Sequence, residues 1–275
     1  MTAARMVALT LLVLGILVTI STGAATAAMA SEAASEAIQR VKAAVVAVGT
    51  YDRVRNPAFV FSGTGFAVGD GSLIATNAHV LPATLNEEHR EALVIAIPGS
   101  LGAAAQFRAA RLVAVDRSND VALLAVDGPK MVPLQILDSP GTVRDGMDLR
   151  FTGFPIGSIL GLIPATHRAL VSAMTPIAIP QPNASTLDAK AVRRLSMPPT
   201  YVIQLDAIAY PGSSGSPLFD PQTGMVVGIV NAVLLKGSRE TALSQPSGIT
   251  YAIHASALAT LLRPENFSPN EQRPR

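Results

Sequence analysis

The chain has 275 residues, 49 % of them hydrophobic, and no cysteine. That is enough apolar material for one large domain or two barrel-like halves, and it excludes disulfides and thiolate metal sites. With 21 basic and 19 acidic residues the formal charge is +2, and no basic block or aromatic platform stands out, so nothing argues for a nucleic-acid partner.

At the N-terminus, Arg5 precedes an apolar run of 15 residues, Met6 to Ile20, and then the small-residue patterns Ala25-Thr-Ala27 and Ala28-Met-Ala30. A short positive region, a short apolar core and such a cleavage site describe a secretory signal. A membrane span needs about 20 apolar residues; including Ser21 to Ala30 would stretch the run into an anchor. The expectation is a signal peptide or membrane anchor over residues 1–30, with membrane attachment, if retained, through residues 6–30. The remaining chain would be exported, to the periplasm or cell envelope.

Ser31 to Ala44 has an early serine and glutamates, with Arg40 and Lys42 late. That distribution suits a helix dipole. Apolar or β-branched segments then predict strands at 45–51, 59–68 and 73–76, the last two joined by a turn at Gly69-Asp-Gly71. Leu85 to Leu93 reads as a surface helix or loop. Further strands are expected at 93–97, 107–115 and 121–126, and Pro129 to Pro133 reads as a link. A second set follows at 149–154, 169–173, 201–206, 217–219, 225–233 and 249–253, closed by a short helix at 256–262. Many short strands between Gly, Pro and Asp turns, with little helix, argue for an all-β barrel or sandwich. The Pro-rich segment 176–200 is long enough to be functional or disordered. It contains Asn183-Ala-Ser185, formally a glycosylation acceptor, and residues 263–275 read as a loose polar tail.

Chemistry concentrates in three stretches. Tyr210-Pro-Gly-Ser-Ser-Gly-Ser-Pro-Leu218 sets a serine between glycines after an apolar run. The glycines allow backbone angles closed to side chains, so main-chain N–H groups can converge beside the hydroxyl. Upstream lie Ser62-Gly-Thr-Gly-Phe66, continuing to Thr76-Asn-Ala-His79, and Val115-Asp-Arg-Ser-Asn-Asp-Val-Ala-Leu-Leu124. Together they supply His79, Asp120 and Ser214, in the chain order of the chymotrypsin-type triad. Ser214 needs a base to become a nucleophile. His79 is the candidate: His89 reads as a solvated surface residue, His167 lies in a loop-like stretch, and His254 reads as a core or edge histidine. Asp116 rivals Asp120 as the orienting carboxylate.

These blocks resemble the Deg/HtrA branch of trypsin-like serine proteases, over roughly residues 38 to 262. The resemblance implies two six-stranded antiparallel β-barrels, about 41–128 and about 134–255, within a protease domain at 31–262. It selects Asp120, directly before Val-Ala-Leu-Leu, and implies an oxyanion hole from the N–H groups of Gly212 and Ser214. It also implies a substrate-binding strand with Asn231 and Ala232, and Ile208 at the base of the primary pocket. An apolar base argues against cleavage after Lys or Arg and favours a small aliphatic residue. The turn departs from the family's Asn-Pro-Gly-Asn-Ser-Gly-Gly at Tyr210, Ser213 and Ser216. No length follows for the usual PDZ domain, so no PDZ gating is expected. The family further implies a sensor role for 176–200, polypeptide substrates, no cofactor and no metal. Trimers occur in it, and Ser31 to Val48 would either mediate one or cap a barrel. The expected activity is endopeptidase cleavage of unfolded or damaged envelope proteins. The alternatives are an idle, chaperone-like binding protein on the same fold and a dedicated processing protease.

Overall fold

The computed structural model describes residues 29–86, 88–99, 103–157, 161–176, 201–232 and 248–267. Nearly all of the expected signal or anchor, the sensor segment with Asn183, and the tail beyond residue 267 lie outside the described residues. Among the described residues no helix is long and apolar enough to cross a membrane.

Helix α1 (29–44) runs into strand β1 without a loop. Its Ala37, Val41 and Ala44 are fully buried. Strands β1 (Val45–Tyr51), β2 (Phe59–Val68), β3 (Leu73–Thr76), β4 (Ala92–Ile97), β5 (Gln106–Asp116) and β6 (Val121–Val126) close a barrel in the order β1-β2-β3-β6-β5-β4. Strands β7 (Asp148–Gly153), β8 (Ala165–Pro176), β9 (Tyr201–Asp206), β10 (Pro217–Phe219), β11 (Val226–Asn231) and β12 (Ile249–His254) close a second one. Its order, β7-β8-β9-β12-β11-β10, repeats the first barrel's although the sequence shows no repeat. Every pairing is antiparallel. The two expected barrels are therefore present, and closure leaves neither with an unpaired edge. Helix α2 (Ala255–Leu261) ends the second barrel.

The apolar runs that predict strands fill the interior. Val45 to Val48, Phe66, Ile74, Leu123 and Leu124 build the first core, which continues across the junction into Phe219, Val226, Ile229 and Leu258. Leu149, Phe151, Val171, Ile203, Leu205 and Val230 build the second. The link is sewn to both halves. Met131 N–H donates to Gly71 O at 2.9 Å and Leu134 N–H to Ala67 O at 2.9 Å, while Val226 N–H donates to Gln135 O at 2.8 Å. Gly71 takes a positive φ, +91°, and a side chain there would strike the Met131 backbone.

Described residues between 85 and 91 form turns, the loop alternative of the expected surface helix or loop. They are held by Glu91, which accepts from Asn86 N–H at 3.0 Å and from Arg55 at 2.7 Å. His167 lies in β8, not in a loop, opposite Phe151 of β7. Its ring stacks on Phe151 at 4.9 Å between centroids, so the stretch gains the cross-strand packing that its polar sequence hides.

Candidate active site

Strand β3 ends at Thr76, and the chain turns through Asn77 into a single 3-10 turn, Ala78–Val80. Asp120 stands directly before β6, antiparallel to β3. One residue thereby organises the whole turn. The Asp120 carbonyl accepts from Asn77 Nδ2 at 2.9 Å and from Ala78 N–H at 3.2 Å. Its Oδ1 accepts from His79 N–H at 2.9 Å, and its Oδ2 lies 2.6 Å from His79 Nδ1. Asp120 adopts φ +53°, a region that aspartate tolerates better than most residues. A carboxylate can only accept, so Nδ1 carries the proton and Nε2 keeps its lone pair. Asn231, at the end of β11, donates Nδ2 to the same Oδ2 at 2.7 Å. The carboxylate is thus held from both barrels.

Asp116 is engaged elsewhere. It accepts from Ser118 N–H and Asn119 N–H at 2.9 and 3.0 Å, and from the Ser118 hydroxyl and the Asn119 amide. Burial pushes its carboxyl up, but these bonds outweigh burial and hold its pKa below the ordinary value. His89 is half exposed and lies 3.3 Å from buried Asp52. His254 caps α2, its Nδ1 accepting from Ser256 N–H at 3.1 Å. Burial lowers the pKa of both His167 and His254; for His254 Asp138 opposes the shift.

The serine turn accounts for its backbone almost completely. The Tyr210 carbonyl accepts from Ser213 N–H at 2.9 Å, Pro211 from Ile156 at 2.9 Å, Ser213 from Ser216 at 3.1 Å, and Ser214 from Thr64 at 2.8 Å. The Gly212 carbonyl accepts from the Thr64 hydroxyl at 2.7 Å. Gly215 N–H donates to Val230 O at 2.9 Å. Pro211 has no N–H, and the N–H groups of Tyr210, Gly212 and Ser214 have no acceptor among the described residues. Tyr210 is partly exposed, whereas Gly212 and Ser214 are buried. A buried N–H without a partner calls for an explanation, and a bound anion or oxyanion is one.

Glycine is required here twice. Gly212 has φ +99°, and a Cβ on it would collide with the Phe154 carbonyl and come within 2.7 Å of the Phe61 ring. Gly215 has φ +87°, and a Cβ on it would collide with the Thr64 carbonyl and come within 2.6 Å of Thr76 Oγ1. The serine at 216 is accommodated by a second glycine: its hydroxyl fills the space where Gly153 lacks a side chain.

Ser214 is 5 % exposed, and its Oγ accepts from Ala232 N–H at 3.2 Å. Its hydroxyl makes no hydrogen bond to His79 in this structure. Asn231 and Ala232 follow the stretch of β11 that pairs with β10, beside the serine turn. The side chain of Asn231 is bonded to Asp120, a contact that sequence spacing gave no means of finding. Ile208 is 43 % exposed, between Ala207 and Ala209, whose carbonyl and N–H are both bound by the buried Thr250 hydroxyl. Among the described residues no group of three or more His, Cys, Asp or Glu could hold a metal.

The trypsin-like peptidase domain family matches residues 63–229, which hold both the His79 block and the serine turn. The chain belongs to the trypsin-like peptidase family. Serine protease HTRA3 of Mus musculus is 25 % identical to it over 233 residues, 83 % of this chain and 43 % of the mouse protein. A probable periplasmic serine endoprotease, DegP-like, of Halomonas elongata is 30 % identical over 186 residues, 66 % of this chain and 31 % of its own length. This trypsin-like domain thus spans less than half the length of these curated relatives. Two solved structures share its fold. They are the active form of the Rv3671c protease of M. tuberculosis (TM-score 0.55, 22 % identity, 82 % of each chain) and Deg5 (TM-score 0.56, 20 % identity, 84 % of this chain and 92 % of the other).

Proposed function

We propose that the chain is a serine endopeptidase of HtrA type, with Ser214 as nucleophile, His79 as general base and Asp120 as orienting carboxylate. The observation that carries the reading is the pair of buried, unpartnered N–H groups on Gly212 and Ser214, in a turn whose carbonyls from Tyr210 to Ser214 are all bonded. A peptide carbonyl placed there would receive both donors as its oxygen gains charge. Such a donor is worth roughly 10²–10³ in rate.

Asp120 keeps the Nδ1 proton in place, so Nε2 of His79 accepts the Ser214 proton as Oγ attacks the carbonyl carbon. The imidazolium formed is stabilised by the carboxylate, which Asn231 steadies from the second barrel. His79 then protonates the leaving amine, and water repeats the sequence on the acyl-enzyme. The substrate backbone would pair as an extended strand with Asn231 and Ala232, which lie past the end of the β10 pairing. Exposed aliphatic Ile208 supports a small aliphatic preference over Lys or Arg. The signal-like N-terminus and the periplasmic relative support an exported enzyme acting on unfolded envelope proteins.

A second reading, a resting or idle fold, is favoured by one contact: Ser214 Oγ is bonded to Ala232 N–H rather than to His79. The test is intact mass after incubating residues 31–275 with a fluorophosphonate, beside Ser214→Ala. One adduct on the parent alone supports the endopeptidase. Labelling that requires added unfolded protein supports a resting state. A folded parent that stays unlabelled under both conditions refutes the protease reading.

A further inference from the structure

Thr64 belongs to β2 of the first barrel, yet it reaches across the junction to the serine turn of the second. It is fully buried. Its N–H donates to Ser214 O at 2.8 Å and its hydroxyl donates to Gly212 O at 2.7 Å. The same hydroxyl accepts from Phe154 N–H at 3.2 Å, and its carbonyl accepts from the Thr76 hydroxyl at 2.7 Å. One residue therefore links the serine turn and the end of β7 through its hydroxyl, and the strand that leads to His79 through its carbonyl.

We propose that Thr64 is the positioning residue that holds the Gly212 N–H at the oxyanion site, a role that rests on the protease reading above. As a glycine, Gly212 has wide torsional freedom, and two peptide planes flank it. The plane before it carries the Pro211 carbonyl and the Gly212 N–H, which point in opposite directions in a trans peptide. That plane is pinned by Ile156 N–H on the Pro211 carbonyl. The plane after it carries the Gly212 carbonyl, held by the Thr64 hydroxyl, and the Ser213 N–H, held by the Tyr210 carbonyl. With both planes held, the torsions of Gly212 are bracketed and its N–H cannot swing away. Removing the hydroxyl leaves the second plane held only at its Ser213 N–H. It also leaves the Gly212 carbonyl and the Phe154 N–H buried without partners, so the turn gains by rotating to find new ones.

Thr64→Val keeps the shape and deletes the hydroxyl; Thr64→Ser keeps the hydroxyl and deletes a methyl. Turnover of an unfolded fluorogenic casein gives kcat and KM, and fluorophosphonate labelling gives the reactivity of the nucleophile. Thr64→Val is expected to lower kcat roughly 10²-fold, as for loss of one oxyanion donor, with KM changed less than about threefold and labelling slowed in step with kcat. Thr64→Ser is expected to recover kcat to within about fivefold of the parent. Parent-like kcat in Thr64→Val overturns the proposal. So does a Thr64→Ser variant that folds but loses as much kcat as expected of Thr64→Val, and that arm stands even where the valine variant does not fold. A parent chain that takes no label fails earlier, at the protease reading itself.

Discussion

Adding one methyl group at Gly212 separates the oxyanion site from the rest of the fold. The residue sits at φ +99°, where an L-residue carries strain of order 1–3 kcal/mol. The new Cβ would also collide with the Phe154 carbonyl, which is backbone and cannot rotate aside, and lie 2.7 Å from the Phe61 ring. The turn must shift to relieve both contacts. A displacement of about 1 Å is enough to take a donor out of hydrogen-bond range, at a cost of roughly 10²–10³ in rate. Strain and collision together predict about 2–4 kcal/mol of lost stability, or roughly 5–15 °C in melting temperature for a domain of this size. Gly212→Ala should therefore melt lower, remain folded at 20 °C, and react with a fluorophosphonate at least about 10²-fold more slowly than the parent. Gly141→Ala, where nothing lies within 4 Å, should match the parent in both measurements. A Gly212→Ala protein that melts lower but is labelled at the parent rate would refute the role of this N–H while leaving the packing argument intact.

Three further outcomes are expected. Asp120→Asn should cut turnover by about 10³–10⁴, because the amide no longer fixes the tautomer, whereas Asp116→Ala should leave kcat within about threefold and cost about 1–2 kcal/mol of stability; the reverse ranking in steady-state kinetics would exchange their roles. Gly153→Ala should destabilise by about 1–3 kcal/mol by driving a methyl into the Ser216 hydroxyl, and Ser216→Gly in the same chain should restore at least half of that; additive melting shifts would show that the two residues do not share the space. His254 and His167 are held below their ordinary pKa by burial, so the unfolded chain takes up the protons first. Stability should be full above about pH 6.5 and fall as pH drops through the lowered folded values. His254→Asn keeps a capping acceptor without the titration, so urea melts at pH 8 and pH 5 should differ less in that variant; an unchanged difference would clear His254 of the effect.

The barrels were legible because their strands are bounded by residues with few alternatives. Gly69 and Gly71 end β2 and begin β3 where a positive φ is needed, and Asp70 closes the turn by accepting from Ser72. Val121 to Val126 is aliphatic throughout, Val45 to Tyr51 is so except for Gly49, Thr50 and Tyr51, and both were bounded to the residue. The ends of β7 and β8 were not, because Ala165 to Arg168 gains its strand character from Phe151 and Thr152 across the sheet, which no local pattern records. The candidate site divides in the same way. His79, Asp120 and Ser214 announce themselves in three motifs. The groups that hold them do not: Asn231 meets Asp120 across 111 residues of chain, and Thr64 meets Gly212 across 148. Such partners follow only from the docking of one barrel on the other.

That docking gives α1 a mechanical significance. Its Val41 belongs to the first core, while Arg40 reaches the Thr223 carbonyl and Ala37 lies against Gly224, both on the second barrel. The helix spans the seam like a hinge plate, and the proposed acid–base pair and nucleophile stand on opposite sides of that seam. A small slip between the halves would separate them while each barrel kept its strands. Loosening α1 should therefore switch the molecule off well before it melts, so anything that pulls on the chain ahead of residue 29 has a lever on the chemistry.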